Sequence, residues 1–199
     1  MALFDAIFFD FDGVLIDSEP VHWVCWRDVL LPLGANLTWE FYRDQCIGVD
    51  DRDMLKMMAG GERDWRELWA QYPAKKQLFR DRMMVAPPFP LSLPATLDRL
   101  KGTYRMAVVS SSSREEIEPL IERAGLRGYF DTVVGGGDVK KHKPDPEPYL
   151  LAASRLGVSR AVVLEDSAAG MASGRAAGFE VLQVRHPNDV PEVLRGAGI

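Results

Sequence analysis

Three short apolar runs, each breaking off directly into a polar cluster, constrain this chain more than any other feature. Ala6-Ile7-Phe8-Phe9 ends in Asp10-Phe11-Asp12-Gly13. Met106-Ala107-Val108-Val109 ends in Ser110-Ser111-Ser112-Ser113, and Ala161-Val162-Val163-Leu164 in Glu165-Asp166-Ser167. Two further runs are Val181-Leu182-Gln183-Val184 and the weaker Thr132-Val133-Val134. Continuous apolar runs of this length read as strands buried on both faces. Helical segments lie between them. One runs from Ser113 to Ala124 and stops near Gly125. Another runs from Pro146 to Leu156, with Asp145 as N-cap and Gly157 beyond its end. A third runs from Ala168 to Ala177, with Gly178 at its stop. Strand alternating with helix predicts an α/β fold: a Rossmann-like parallel sheet with helices on both faces. Ligands bind beyond the carboxyl ends of the strands in such a sheet, so the three polar clusters should share one edge.

Residues 17–86 read differently, because no strand-like run occurs there. Asp17 or Ser18 can cap a helix whose first turn holds Pro20 and which continues through Trp23, Trp26 and Leu30. Further helices are expected at Thr38–Gln45, Asp51–Ala59, Asp64–Tyr72 and Ala74–Met84, and Pro87-Pro88-Phe89-Pro90 ends the block. The expected organisation is a core of residues 1–16 and 87–199 with a small all-α cap domain, residues 17–86, inserted after the first strand. Trp23, Trp26, Trp39, Trp65 and Trp69 all fall in the insertion and read mostly as its core. The segment from Asn188 to Ile199 reads as a short final helix.

The 199 residues are 47% hydrophobic and 27% charged, enough apolar material for a real core. A formal net charge of -5 leaves no electrostatic footprint for nucleic acid or an anionic membrane. Positive charge for an anionic ligand must then be local: a metal, a lysine or a helix N-terminus. The two cysteines, Cys25 and Cys46, form no CxxC pair and read as buried free thiols, which fits a reducing, cytoplasmic setting. No run approaches the ~18 apolar residues of a membrane span. The first strand-like run starts so early that no signal peptide is expected. A monomer is the default expectation.

The chemistry lies at the strand ends. Carboxylates crowded at one edge repel and raise one another's pKa, which a divalent cation relieves. Oxygen ligands without a His or Cys cluster point to Mg2+, held by Asp10 and Asp166 with Glu165 as a further or outer ligand. Asp10 could attack phosphorus to form an aspartyl-phosphate. Asp12, two residues on, could protonate the leaving oxygen and then deprotonate water, with Gly13 permitting the turn. Asp10 and Asp12 also read as plain turn residues. The serine run offers hydroxyls and N–H groups at a helix N-terminus, and Lys143 could balance phosphate charge. A serine-rich loop and the run Lys140-Lys141-His142-Lys143-Pro144 also read as ordinary solvated loops.

Together these segments resemble the haloacid dehalogenase superfamily. Asp10-Phe11-Asp12-Gly13-Val14-Leu15-Ile16-Asp17-Ser18 is similar to its first motif and Val108-Val109-Ser110-Ser111-Ser112 to its second. Lys143-Pro144-Asp145-Pro146 is similar to the third and Leu164-Glu165-Asp166-Ser167-Ala168-Ala169-Gly170 to the fourth. The resemblance implies Asp10 as nucleophile and metal ligand. It implies Asp12 as acid/base, with its backbone carbonyl on the metal, and Ser110 and the Ser111 N–H on the phosphoryl group. Lys143 would bridge Asp10 and phosphate, and Asp166 and Glu165 would hold Mg2+. Ser112 and Gly13 complete the expected phosphate loop. The dehalogenases of this superfamily lack the second aspartate, so Asp12 argues for phosphate chemistry.

The helical insertion resembles the cap of the subgroup with β-phosphoglucomutase and small-molecule phosphatases, and His22 matches that subgroup's hinge histidine. Gly48-Val49-Asp50-Asp51-Arg52-Asp53 is similar to a phosphate-gripping stretch of the mutase, with the arginine one position late and flanked by acids. The expected function is therefore a phosphatase of a small phosphorylated metabolite, with sugar phosphates as the candidate class and His22 and Arg52 as cap contacts. A mutase-like isomerase, or a non-catalytic phosphometabolite-binding protein, are the alternatives.

Overall fold

A computed structural model describes residues 3–61 and 63–199. The chain divides into two compact units, Met1–Asp17 with Pro87–Ile199, and Ser18–Ala86.

The first unit is built on five parallel strands: β1 (Ala6–Phe9), β2 (Arg105–Val109), β3 (Thr132–Val134), β4 (Ala161–Glu165) and β5 (Glu180–Gln183). Their order in the sheet is β3-β2-β1-β4-β5. All residues of β1 and β4 are buried, as their unbroken apolar sequence requires of strands covered on both faces. At the edge, β5 exposes Glu180 and Gln183 and carries the shorter apolar run. The strand order reverses between β1 and β4, the point at which open α/β sheets form a ligand crevice. Register fixes what meets there. Phe9 pairs with Val108 on one side and Leu164 on the other, and the Asp10 N–H continues the ladder to the Leu164 carbonyl at 3.0 Å.

Ten α-helices occur among the described residues. Five belong to the helical unit: α1 (Glu19–Leu30), α2 (Trp39–Gln45), α3 (Asp51–Ala59), α4 (Trp65–Trp69) and α5 (Tyr72–Val85). Side chains of Thr38, Asp50 and Asp64 cap α2, α3 and α4 by accepting from N–H groups of the first turn. Trp26, Leu30, Leu37, Leu55 and Leu68 form the buried centre of this unit. Of the five tryptophans only Trp26 is fully buried; Trp23, Trp39 and Trp69 pack partly buried against the centre. Trp65 stands apart, half-buried, with Lys56 and Arg66 over its ring.

The helices of the sheet unit are α6 (Leu93–Leu100), α7 (Arg114–Arg123), α8 (Glu147–Leu156), α9 (Ala168–Ala176) and α10 (Val190–Gly196). Sequence reading missed α6. Its buried Leu93, Leu97 and Leu100 recur at i, i+4 and i+7, a helical spacing just past the prolines that close the insertion. Pro94 occupies the first turn, where a missing N–H costs nothing. In α8 the N-cap position falls on Pro146, not Asp145. The Asp145 carboxylate accepts from the Glu147 N–H at 3.0 Å, so it serves the helix start from one residue earlier. No helix among the described residues is long and apolar enough to cross a membrane.

Candidate active site

Each strand end delivers one part of the site. Asp10 follows β1 directly and is 8% exposed; Glu165 closes β4 and is fully buried. Asp12 is half-buried, while Asp166 is exposed. Gly13 has φ +74, and a Cβ there would collide with the Asp166 carboxylate. Glycine is therefore required both for the turn and for the approach of the β1 loop to the β4 loop.

Lys143 joins the acids. Its ammonium donates to Asp10 Oδ1 at 2.6 Å, to Glu165 Oε1 at 2.6 Å and to the Val109 carbonyl at 3.0 Å. All three of its N–H groups are engaged. The side chain is 6% exposed, whereas Lys140 and Lys141 are exposed. The lysine run is thus solvated at its start and buried at Lys143. Two anchors shape its loop. Glu147 accepts from the Lys140 and Lys141 N–H groups at 2.9 and 3.0 Å, and the buried Ser173 hydroxyl donates to the Asp145 carbonyl at 2.6 Å.

After β2, the buried Ser110 side chain accepts from the Ser112 N–H at 3.1 Å. The Ser112 hydroxyl reaches Asp12 Oδ2 at 3.4 Å, and Ser111 is exposed. The serine run is therefore a shaped turn that leads into α7 and touches the Asp12 side chain.

Four carboxylates and one ammonium leave the site strongly negative. Burial, reinforced by Glu165 and Asp12 against the pull of Lys143, pushes Asp10 well above the usual carboxylate range. Burial and Glu165 push Asp166 up to about 6. Burial opposes the Lys143 charge, but Asp10 and Glu165 outweigh it and hold the lysine above its ordinary value. Asp10, Glu165 and Asp166 each offer one carboxylate oxygen, all within 4.8 Å of one another. Hard oxygens alone, converging with unbalanced negative charge, fit a small divalent cation such as Mg2+.

Two features escaped sequence reading. Tyr149 on α8 is fully buried and donates its hydroxyl to Glu165 Oε1 at 2.9 Å. Ser167, the N-cap of α9, donates its hydroxyl to Glu165 Oε2 at 3.0 Å and accepts from the Gly170 N–H at 3.0 Å. A Cβ at Gly170 would fall on the Glu165 carboxylate, so the bare backbone there makes room for the buried acid.

His22 and Arg52 belong to the helical unit. The His22 ring stacks on Phe79 with centroids 4.0 Å apart, and its Nδ1 lies 2.8 Å from the Lys75 ammonium. Lys75 is 3% exposed, lies 3.4 Å from Asp51 Oδ2, and stands over the Trp26 ring. Trp26 in turn donates to Asp51 Oδ1 at 2.8 Å. The neighbouring Arg52 is exposed, with its guanidinium over the Trp69 ring at 4.8 Å.

Residues 7–184 match the family described as haloacid dehalogenase-like hydrolase. The chain is 32% identical over 194 residues to the fructose-1-phosphate phosphatase YqaB of Escherichia coli, covering 90% of this chain and 96% of that one. It is 33% identical over 202 residues to a phosphorylated carbohydrates phosphatase of Thermotoga maritima, covering 98% and 91%. A crystal structure from Thermotoga maritima, provisionally assigned as a β-phosphoglucomutase, superposes with a TM-score of 0.75 at 27% identity, covering 96% and 99%.

Proposed function

This chain belongs to the haloacid dehalogenase-like hydrolases, and from that premise we propose that it is a Mg2+-dependent phosphatase of small phosphorylated sugars that works through an aspartyl-phosphate on Asp10. The observation that carries the reading is the Lys143 ammonium between Asp10 and Glu165 at the sheet's point of reversal, with Asp166 beside them. The relatives in E. coli and T. maritima, described as acting on fructose 1-phosphate and on phosphorylated carbohydrates, support the sugar class.

In this reading the Asp10 and Asp166 carboxylates and the Asp12 backbone carbonyl would hold the metal, with Glu165 as a further or outer ligand. It supplies charge neutralisation at the phosphoryl oxygens. Asp10 forms the new bond to phosphorus as the ester P–O bond breaks, and Asp12 gives its proton to the departing sugar oxygen. Asp12 then takes a proton from water, the water oxygen bonds to phosphorus, and the Asp10–phosphorus bond breaks to release inorganic phosphate. Ser110, Ser111 and Ser112 hold the phosphoryl oxygens, Gly13 lets the Asp12 loop turn beside them, and Lys143 balances their charge. Such chemistry consists mainly of positioning and charge neutralisation. We assign substrate contacts on the helical unit to His22 and Arg52.

The test is phosphate release from a panel of sugar monophosphates with Mg2+, alongside Asp10→Asn. Release by the wild type alone supports the reading. Conversion of β-glucose 1-phosphate to glucose 6-phosphate faster than phosphate release would make the protein a mutase. No turnover of any phosphate ester by folded protein would make it a binding protein.

A further inference from the structure

We infer that Tyr149 is a positioning residue of the site, fixing the Lys143–Glu165 pair from beneath through its hydroxyl and its ring face together.

The plain reading of Tyr149 is a core aromatic. It lies on the apolar face of α8 with Ala152, Ala153 and Leu156, and stacks on Phe8 with centroids 6.4 Å apart. A phenylalanine would fill that place equally well, so packing does not explain the hydroxyl. Satisfying Glu165 does not explain it either. Glu165 Oε2 already accepts from the Asp166 and Ser167 N–H groups at 3.1 Å each and from the Ser167 hydroxyl at 3.0 Å. Oε1 has Lys143 at 2.6 Å. The Tyr149 hydroxyl is a fifth donor, placed on the one oxygen that Lys143 also holds.

The ring adds a second contact. The Lys143 ammonium lies 5.1 Å from the Tyr149 ring centroid, within cation–π range. One side chain thus touches both members of the pair. This arrangement has a use in catalysis. Lys143 has every N–H engaged, so it must release one to meet an arriving phosphoryl oxygen. Tyr149 holds Glu165 Oε1 in place while that N–H turns away, and the ring keeps the ammonium from following. The step moves a hydrogen bond only; no bond is made or broken covalently.

The effect on turnover rests on the Asp10 reading, so the experiment has an arm that does not. The 15N–1H signal of the buried Lys143 ammonium is recorded in protein free of metal and substrate, and identified by its absence in Lys143→Met. In Tyr149→Phe, which keeps the ring, this signal should shift and broaden while the melting temperature stays within a few degrees. A hydrogen bond to a charged group supports a change of roughly tenfold to a hundredfold. The kcat on a sugar monophosphate should accordingly fall about tenfold or more, with KM within about twofold. Adding Tyr149→Phe to Glu165→Gln should change kcat by less than about twofold, because the hydroxyl acts through that carboxylate.

An unmoved ammonium signal, or full additivity with Glu165→Gln, overturns the role of Tyr149 even in an active phosphatase. A moved signal in a protein that hydrolyses no phosphate ester overturns the phosphatase reading and leaves the positioning contact standing. Should Tyr149→Phe fail to fold, fluorotyrosine placed at position 149 keeps the ring and strengthens the donor. It must then shift the same signal, and an unshifted signal overturns the inference.

Discussion

The Lys143 ammonium meets the Asp10 carboxylate at 2.6 Å although 133 positions separate the two residues. The same ammonium separates Asp10 from Glu165, another buried acid. Lys143→Met would leave both carboxylates buried without a counter-charge. Removing one partner of a buried ion pair costs about 3–5 kcal/mol. Denaturant titration should show a loss of that order, partly restored by added Mg2+. Stability equal to wild type would refute this account of the lysine.

Asp10→Asn keeps the size of the side chain and removes one negative charge from a crowded cluster. The variant should lose turnover by on the order of 10^4–10^6. Its melting temperature in the absence of metal should equal or exceed that of the wild type, because burial already disfavours the Asp10 charge. A thermal melt beside a phosphate-release assay checks both halves.

In the proposed mechanism Asp12→Asn removes the proton donor and leaves the nucleophile intact. The kcat should fall about 10^2–10^4 on an alkyl phosphate. An aryl phosphate with a readily departing phenolate needs less protonation, so formation of the aspartyl-phosphate should be much less affected. Rapid-mixing assays on the two ester classes separate the outcomes, and an equal loss on both would contradict the assignment.

Chelation should abolish turnover and lower the melting temperature. Adding Mg2+ back should raise it with ligand concentration, the gain in unfolding free energy reaching about 2.7 kcal/mol at 100 times the dissociation constant. Asp166→Asn should flatten that dependence, since Asp166 offers one of the three clustered oxygens. A calorimetric melt over a Mg2+ series reads the slope.

His22 gives the helical unit a pH dependence of its own. Burial and the Lys75 ammonium lower its pKa from 6.5 to about 3. The unfolded chain therefore binds more protons than the folded one between those values. Stability present above 6.5 is lost as pH falls toward 3, by at most ~1.4 kcal/mol per pH unit. His22→Phe should remove this part of the slope. Unfolding free energies at about pH 7.5 and about pH 5.5 measure it, and identical slopes in both proteins would refute it.

Sequence reading succeeded where burial is total and failed where a residue's meaning depends on a distant partner. The run Ala6–Phe9 is the strand itself, because a central parallel strand must be apolar on both faces. The four carboxylates were legible from their position just after such runs. Lys143 was ambiguous with solvated lysine, and only its loop's anchors, Glu147 and Ser173, decide that it turns inward. Tyr149 was silent. On an apolar helix face it looks like any core aromatic, and the carboxylate it serves lies on another element. Arg52 was recognisable as a displaced arginine, but its seat over Trp69 depends on how α3 and α4 pack.

The position of β1 between β2 and β4 has a consequence for the protein as it is being made. Asp10 leaves the ribosome 155 positions ahead of Glu165 and 156 ahead of Asp166. At ~5–20 residues per second the gap is about 8–30 s. During that interval β1 lacks its neighbour on one flank, and the acids never face one another without Lys143 already synthesised. A translation product cut short before β4 carries Asp10, the nucleophile of the proposed reading, but neither Glu165 nor Asp166. On that reading such a chain cannot hold the metal and should release no phosphate from an ester.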